Sequence, residues 1–474
     1  MTDFSEKASS FEPQTVLLVG AGVIGRSLAL AYAQNFPNFE ICLYDRDPQI
    51  CAALQDVIQE RGAENVCVLS DMNSFLQAAR RAAVFDQCVP IDKMGDVQRF
   101  VRGVLPKGCI VTNRGSAQVY ALQQILPHVE QGRVHFGAHM LVGREASPGD
   151  ELHCYPEMFA GQICVIEALP ENANALERDA HAKLMDINQR LGMDVKVLPA
   201  YIHDQLLGAF SHENTAALRV LVNATKGKAT GLGATIMRAS VGSETMWMPV
   251  YRFNQQAMVR ACDIQEEALG KFKKALLLSD RALFSQLLRD AHDFRMRWPD
   301  ADEPVDSLLG TMGELNGQGH DEHALVQKVF MPLLFSVSRT LGFRDVVGRL
   351  GPELERYGHH FTDLLNTSAK DSTLAAKYNP DMLASLMWEH RTGLLSELYH
   401  YQEQYRIFSN QLSSIGCDPE AAKALGASIR NTAEIMNGGA DILPRRAGGG
   451  QGFAFLDCPT SAGAQEFPLL QQLD

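Results

Sequence analysis

A short apolar strand that runs into three spaced glycines constrains this chain more than any other segment. The run Val16–Val19 is followed by Gly20, Gly22 and Gly25, and an apolar helical pattern then begins. Asp45 comes 20 residues after Gly25, at the end of a second apolar run. Strand, glycine turn, helix, strand and terminal acid together are the signature of a βαβ unit that binds a dinucleotide.

Each glycine in this turn has its own physical role. Gly20 permits the tight turn out of the strand, Gly22 lets the backbone approach a pyrophosphate, and Gly25 lets the helix pack closely on the strand. Val23 and Ile24 begin the helix, whose free N–H groups attract phosphate. We therefore predict that this turn binds the pyrophosphate of a dinucleotide.

The residue after the second strand indicates which dinucleotide binds. The carboxylate of Asp45 can accept hydrogen bonds from ribose hydroxyls but would repel a 2′-phosphate, so we predict NAD rather than NADP. Arg46 is the neighbour that favours NADP. Val89 and Pro90 follow a later strand and are predicted to line the same cofactor crevice, because ligands bind at the carboxyl ends of parallel strands.

Alternating patterns over residues 15 to about 168 define the fold class. Strand-like runs separated by helical patterns are typical of a doubly wound parallel sheet. From about residue 172 the pattern is almost wholly helical, apart from one short strand at 194–198 that returns to the sheet. We predict an α/β N-terminal domain with a Rossmann-type parallel sheet, followed by an all-α domain. The strand-like runs are 15–19, 40–44, 66–69, 82–89, 108–112, 133–138, 161–167 and 194–198.

The helical half contains a second block that resembles the first. His323-Ala-Leu-Val-Gln-Lys-Val-Phe is similar to His203-Asp-Gln-Leu-Leu-Gly-Ala-Phe. The block is either a degenerate duplication or an unrelated helical extension, since helical patterns recur easily. The predicted boundaries are a flexible N-terminus at 1–14, a nucleotide-binding domain at 15–200, a helical substrate and dimerisation domain at 201–297, a linker at 298–320, the second block at 321–415 and a flexible tail at 437–474.

Composition argues against nucleic acids, membranes and metal ions as partners of this chain. The net charge of −13 disfavours nucleic acid and anionic membranes as partners. The ten cysteines are scattered without a CxxC pair, which indicates reduced thiols rather than disulfides or a metal site. The first residues lack the apolar core of a signal peptide, and no apolar stretch is long enough to span a bilayer. We expect a cytoplasmic protein with a small-molecule substrate.

Three polar clusters could carry chemistry. Ser116 follows one strand, and His139 follows another in a glycine-flanked loop, where it is either a general base or a structural histidine. The third cluster is His203-Asp204, with His212 nine residues beyond His203. Residues nine apart lie on opposite faces of a regular α-helix. Unless the helix breaks, these two histidines do not share a face, and we predict no metal site formed by them.

Together these clusters resemble the prephenate and arogenate dehydrogenases of tyrosine biosynthesis, over roughly residues 15–297. That family has an Asp-x-Gly-Ser-x-Lys turn, a His-Pro-Met-x-Gly-x-Glu loop, a Glu-Leu-Phe-x-Gly stretch, His-Asp and Ser-His pairs, and an arginine nine residues before a tryptophan. The corresponding segments here are Asn113-Arg-Gly-Ser116-Ala-Gln118, His139-Met-Leu-Val-Gly143-Arg-Glu145, Glu157-Met-Phe-Ala-Gly161, His203-Asp204, Ser211-His212 and Arg238 before Trp247. The departures at Asn113, Gln118 and Met140 bear on substrate preference.

The resemblance implies NAD-dependent oxidative decarboxylation of prephenate to 4-hydroxyphenylpyruvate. It implies His139 as the base, Ser116 as the residue that aligns it, Arg238 as the partner of a substrate carboxylate and His212 as a lining residue of the substrate pocket. Two alternatives are arogenate oxidation to tyrosine and a weakened NAD-binding regulatory or scaffold protein. The resemblance also implies a homodimer, or a single-chain pseudo-dimer if the second block replaces the partner's helices.

Overall fold

The central feature of the fold is an eight-stranded sheet with strand order β3-β2-β1-β4-β5-β6-β7-β8. The computed structural model describes residues 14–142, 152–228, 244–300, 322–365, 370 and 372–438. Neighbouring strands are parallel except β6 and β7. The strands are β1 Thr15–Val19, β2 Glu40–Tyr44, β3 Val66–Leu69, β4 Ala82–Gln87, β5 Ile110–Asn113, β6 Val134–Met140, β7 Ile163–Glu167 and β8 Asp194–Leu198.

The antiparallel pair departs from the all-parallel sheet expected from the sequence. A parallel neighbour needs a crossover connection, usually a helix. Between β6 and β7, the described residues 152–162 contain only the short 3₁₀ turn Pro156–Phe159. The chain therefore enters β7 in the opposite direction, with His139 opposite Val165.

Helices cover both faces of the sheet, as a doubly wound fold requires. Val16 and Leu18 of the central strand β1 belong to one apolar core, and Leu17 and Val19 belong to the core on the other face. The predicted fold class is therefore confirmed. The helices of this half are α1 Val23–Asn35, α2 Pro48–Glu60, α3 Met72–Ala79, α4 Met94–Phe100, α5 Gln118–Ile125 and α6 Ala175–Arg190.

The second half of the described chain is helical. A six-residue π-helical turn, Gly208–Glu213, joins α7 to α8, and a five-residue π-helical turn, Val326–Phe330, joins α12 to α13. None of the helices in the described residues combines the length and apolar character that crossing a bilayer requires. The helices are α7 Ala200–Leu207, α8 Asn214–Thr225, α9 Glu244–Phe253, α10 Gln255–Leu277, α11 Arg281–Arg295, α12 Glu322–Leu325, α13 Met331–Arg356, α14 Pro380–Glu389, α15 Arg391–Ser414 and α16 Pro419–Gly438.

The predicted linker at 298–320 begins too early. Trp298 is buried against Phe294 and Phe343, and Asp300 forms a buried ion pair with Arg295 at 2.6 Å. Residues 298–300 therefore belong to the helical core. The remainder of that linker, residues 1–13 and the predicted tail beyond residue 438 lie outside the described residues.

Candidate active site

The glycine turn has the backbone geometry that its sequence predicts. Gly20 has φ +100°, a left-handed conformation that favours glycine. A Cβ on Gly25 would lie 1.9 Å from the Gly20 carbonyl oxygen, which confirms the close packing of α1 on β1. A Cβ on Gly22 would meet no atom within 4 Å, so Gly22 faces open space at the start of α1. The first turn of α1 contains no acidic residue that would repel a phosphate.

Asp45 lies beside this turn at the end of β2. Its carboxylate accepts hydrogen bonds from the backbone N–H of Ala21 at 2.7 Å and of Asp47 at 3.0 Å. The loop after β4 lies on the other side, since a Cβ on Gly20 would be 3.0 Å from the Val89 nitrogen. The residues predicted to bind the cofactor thus lie along one edge of the sheet: Gly20, Gly22, Val23, Ile24, Gly25, Asp45, Val89 and Pro90.

A chain of hydrogen bonds runs from a carboxylate to the predicted catalytic histidine. His139 Nδ1 lies 2.8 Å from His203 Nε2, and His203 Nδ1 lies 2.8 Å from Asp204 Oδ1. Asp204 also accepts hydrogen bonds from the backbone N–H groups of Gln118 at 2.8 Å and Val119 at 2.9 Å. One carboxylate therefore holds the start of α5 and, through His203, the imidazole of His139.

The chain determines which nitrogen of His139 is free. An ionised carboxylate only accepts hydrogen bonds, so His203 carries its proton on Nδ1 and accepts at Nε2. His139 must then donate from Nδ1, which leaves a lone pair on its Nε2. Burial, together with the nearby His203 and His212, holds the pKa of His139 well below its usual value. A neutral imidazole oriented in this way is suited to accept a proton from a substrate hydroxyl.

In His212 the protonated and unprotonated ring nitrogens are the reverse of those in His139. Its Nδ1 lies 2.9 Å from the side-chain nitrogen of Asn254, which donates to it, so the imidazole proton is on Nε2. Burial lowers the pKa of His212 to about 4. His139 therefore offers an acceptor and His212 a donor.

A regular α-helix would place His203 and His212 on opposite faces, but the helix breaks between them. The π-helical turn Gly208–Glu213 interrupts the regular spacing of 3.6 residues per turn. Both histidines lie near enough to His139 that a charge on either would disfavour its protonation. The helix break thus brings three histidines together.

The loop that carries half-buried Ser116 is held by a pair of neutral amides. Gln118 donates from its side chain to Asn113 Oδ1 at 3.2 Å and to the Gly115 carbonyl at 2.6 Å. Asn113 Oδ1 also accepts from the Gly115 N–H at 3.0 Å. The family pattern has an aspartate and a lysine at these two positions. Here both partners are uncharged, so the turn keeps an internal contact without an ion pair.

A buried ion pair supports this edge of the sheet from inside. Arg114 donates to both carboxylate oxygens of Asp86, at 2.9 Å and 2.6 Å, and also to the Ala138 carbonyl and the Asn188 side chain. Because Arg114 directly follows β5 and Ala138 lies on β6, the pair fixes the spacing between β5, which precedes Ser116, and β6, which contains His139.

Sequence reasoning found the candidate catalytic residues but missed the groups that orient them. The sequence pattern gives no role to His203 and Asp204, and it does not identify Asn254 as a partner of His212. The contacts of these orienting residues are visible only in the folded chain, because 64 residues separate His139 from His203 in the sequence. Arg238, Gly143 and Glu145 lie outside the described residues.

Comparisons with known proteins show which proteins this chain resembles. No family model matches the sequence. The chain is 22% identical over 298 residues to a cyclohexadienyl dehydrogenase of Zymomonas mobilis, covering 59% of this chain and 94% of that protein. It is 23% identical over 305 residues to a prephenate dehydrogenase of Bacillus subtilis, covering 59% of this chain and 75% of that protein.

A solved structure shares the fold. The crystal structure of prephenate dehydrogenase from A. aeolicus, in complex with hydroxyphenyl propionate and NAD+, matches with a TM-score of 0.52 at 16% identity. The match covers 61% of this chain and 99% of that one.

The sheet and its glycine turn define a Rossmann-type fold of the kind that binds a dinucleotide. The sequence relatives of this chain are dehydrogenases. The chain is similar to prephenate and cyclohexadienyl dehydrogenases in sequence and to a prephenate dehydrogenase in fold. This chain is also considerably longer than the Zymomonas relative, because the match covers 94% of that protein but only 59% of this chain.

Proposed function

We propose that this chain catalyses the NAD-dependent oxidative decarboxylation of prephenate to 4-hydroxyphenylpyruvate. The observation that carries the proposal is the hydrogen-bond chain from Asp204 through His203 to His139, at the edge of the sheet where a dinucleotide binds. The names of the relatives support the same reaction.

The residues at the glycine turn fit NAD. Gly22 leaves space at the N-terminus of α1 for the pyrophosphate, and Asp45 is placed to accept from the adenosine ribose hydroxyls. When bound there, NAD supplies the hydride acceptor. We assign the remaining contacts to Val23, Ile24, Val89 and Pro90.

The side chains of the site account for the proton transfer. His139 Nε2 takes the proton of the ring hydroxyl as hydride leaves the carbinol carbon. The ring carboxylate then departs as CO₂, and its bonding electrons move through the ring to the ketone oxygen, which makes the ring aromatic. The resulting phenolate oxygen takes back the proton from His139. Ser116 aligns the hydroxyl with the imidazole, and the Nε2 proton of His212 is available to a substrate oxygen. Arg238 binds a substrate carboxylate as a charge-assisted pair.

The thiols support a proposal for the cellular compartment. All nine cysteines in the described residues are free thiols, and most of them are buried. Thiols of this kind persist in a reducing compartment, and we place the protein in the cytoplasm.

The decisive experiment is an assay of NADH or NADPH formation, with prephenate and arogenate each paired with NAD and NADP. We expect turnover with prephenate and NAD, and loss of most of it in His139→Asn, whose NAD affinity should stay near that of the wild type. The aromatic product identifies which side chain the substrate carried. Turnover with arogenate alone would support the alternative substrate. Absence of turnover with every pair, or near wild-type turnover in His139→Asn, would contradict the proposal.

A further inference from the structure

The helical half contains the same succession of elements twice. Block A, residues 200–295, and block B, residues 322–438, each have a helix, a π-helical turn, a second helix, a ten-residue helix, a long helix and a final helix; block B adds two short 3₁₀ turns, Phe361–Leu364 and Leu374–Lys377, before its ten-residue helix. The long helices have 23 and 24 residues, and in each block a single residue, Asn254 or His390, separates the long helix from the ten-residue helix. The helices α7 to α11 therefore correspond in order to α12 to α16.

The two blocks pack on each other reciprocally. Helix α10 packs on α13 and its counterpart α15 packs on α8; α11 packs on α13 and its counterpart α16 packs on α8. Likewise α11 packs on α14, and α16 packs on α9. The corresponding long helices α10 and α15 pack on each other. Such an exchange of contacts is what a two-fold axis between α10 and α15 produces.

Individual contacts obey the same relation. Asp381 near the start of α14 pairs with Arg289 of α11 at 3.2 Å, and Glu244 at the start of α9 pairs with Arg430 of α16. Both ion pairs join the beginning of a ten-residue helix to the final helix of the other block. An extension unrelated to block A would have no reason to repeat this arrangement.

We infer that block B is a degenerate second copy of block A that takes the place of a second subunit. One chain then contains both halves of a two-fold helical interface. Its described residues contain one nucleotide-binding sheet, which packs on block A through α5 and Asp204. At the position of block B that corresponds to His203, His323 lies 3.4 Å from Glu397 of its own block. The described residues thus contain a single candidate active site.

Block B also holds part of that site in place. Glu213, the last residue of the π-helical turn that carries His212, is fully buried. Its carboxylate forms an ion pair with Arg339 of α13 at 2.5 Å and accepts a hydrogen bond from the hydroxyl of Tyr405 of α15. Arg339 and Tyr405 are therefore positioning residues for His212.

The solution mass of the full chain tests the duplication independently of any activity. We expect light scattering after size exclusion to give the monomer mass of 52.2 kDa over a wide range of protein concentration. A stable dimer of twice that mass would overturn the inference, because the face that a second subunit needs would then be available. This measurement does not depend on the proposed function.

The contribution of block B to the site, which rests on the proposed function, is tested by two matched variants of α15. Tyr405→Phe removes a donor to Glu213, whereas Tyr401→Phe removes a hydroxyl that donates to the Ala217 carbonyl instead. We expect KM for the cyclohexadienol to rise about tenfold in Tyr405→Phe with an unchanged Kd for NAD, and both values to stay near wild type in Tyr401→Phe. Equal effects in the two variants, or none in Tyr405→Phe, would overturn the positioning role.

Discussion

At the scale of single residues, Asp204 joins two segments that are distant in the sequence. Its two oxygens accept hydrogen bonds from the first N–H groups of α5 and from His203. The same carboxylate therefore stabilises the helix that follows Ser116 and fixes the tautomer of His139. An amide at this position could satisfy only part of these donors, because its nitrogen donates rather than accepts.

We expect Asp204→Asn to lower kcat strongly while NAD still binds. The amide permits the alternative His203 tautomer, so His139 would no longer present a free lone pair at Nε2. Loss of a tautomer-fixing carboxylate costs about 10²–10⁴ in kcat in comparable sites. Steady-state kinetics and NAD titration measure the two effects. Asp45→Asn is the control, with weaker NAD binding expected. An unchanged kcat in folded Asp204→Asn would contradict the tautomer assignment.

At the scale of elements, the turn between β1 and α1 needs glycine at two positions for two different reasons, helix packing at one and ligand space at the other. Gly25 is needed so that α1 can lie close to β1, whereas Gly22 leaves space that a ligand can occupy. The two positions are three residues apart, but only one of them is constrained by the protein's own atoms.

The corresponding alanine variants should therefore differ. In Gly25→Ala the new Cβ would lie 1.9 Å from a backbone oxygen, so α1 must move and the midpoint of thermal unfolding should fall by several degrees. Gly22→Ala meets no atom within 4 Å at φ −61°, so its unfolding midpoint should stay within about two degrees of the wild type. Its affinity for NAD should nevertheless fall tenfold or more, by titration. Similar stability losses in the two variants would contradict this separation.

The elements also mark how far sequence reasoning extends. β1 and β2 follow directly from apolar runs next to turn residues, and their predicted bounds, 15–19 and 40–44, match the structure. The direction of β7 could not be predicted, because an apolar run such as Ile163–Glu167 does not encode which way it pairs. The sequence of the π-helical turn Gly208–Glu213 cannot be distinguished from that of an ordinary α-helix. The effect of the turn on the position of His212 is therefore visible only in the three-dimensional structure. The helix α16, Pro419–Gly438, lies almost wholly between the predicted second block at 321–415 and the predicted tail at 437–474.

At the scale of the whole molecule, several buried groups make stability depend on pH. Burial lowers the pKa of His135 to about 3, that of His212 to about 4 and that of His139 well below its usual value. In the unfolded chain each imidazole takes up a proton below about pH 6.5. Burial also raises the pKa of Glu167 to about 7, and this carboxyl has the opposite effect between its unfolded and folded pKa values.

We therefore expect the free energy of unfolding to fall as the pH decreases from about 6.5. Each histidine that stays neutral in the native state contributes up to about 1.4 kcal/mol per pH unit to the slope of the unfolding free energy against pH. Protonation of Glu167 has the opposite sign and cancels the contribution of about one of the three histidines. Urea unfolding at a series of pH values measures the slope. His135→Gln should reduce it by about one proton, since the glutamine oxygen can still accept from Asn113. A stability that is constant or rises between pH 6.5 and 5 would contradict this assignment.

The inferred pseudo-two-fold arrangement also changes how the interface can vary in evolution. In a symmetric homodimer every substitution occurs on both sides of the axis, so each new side chain must be tolerated twice. Within one chain the two sides are encoded separately and can diverge. The paired ion contacts already show this, since a glutamate meets Arg430 on one side and an aspartate meets Arg289 on the other. One half can therefore keep the residues of catalysis while the other specialises as its support.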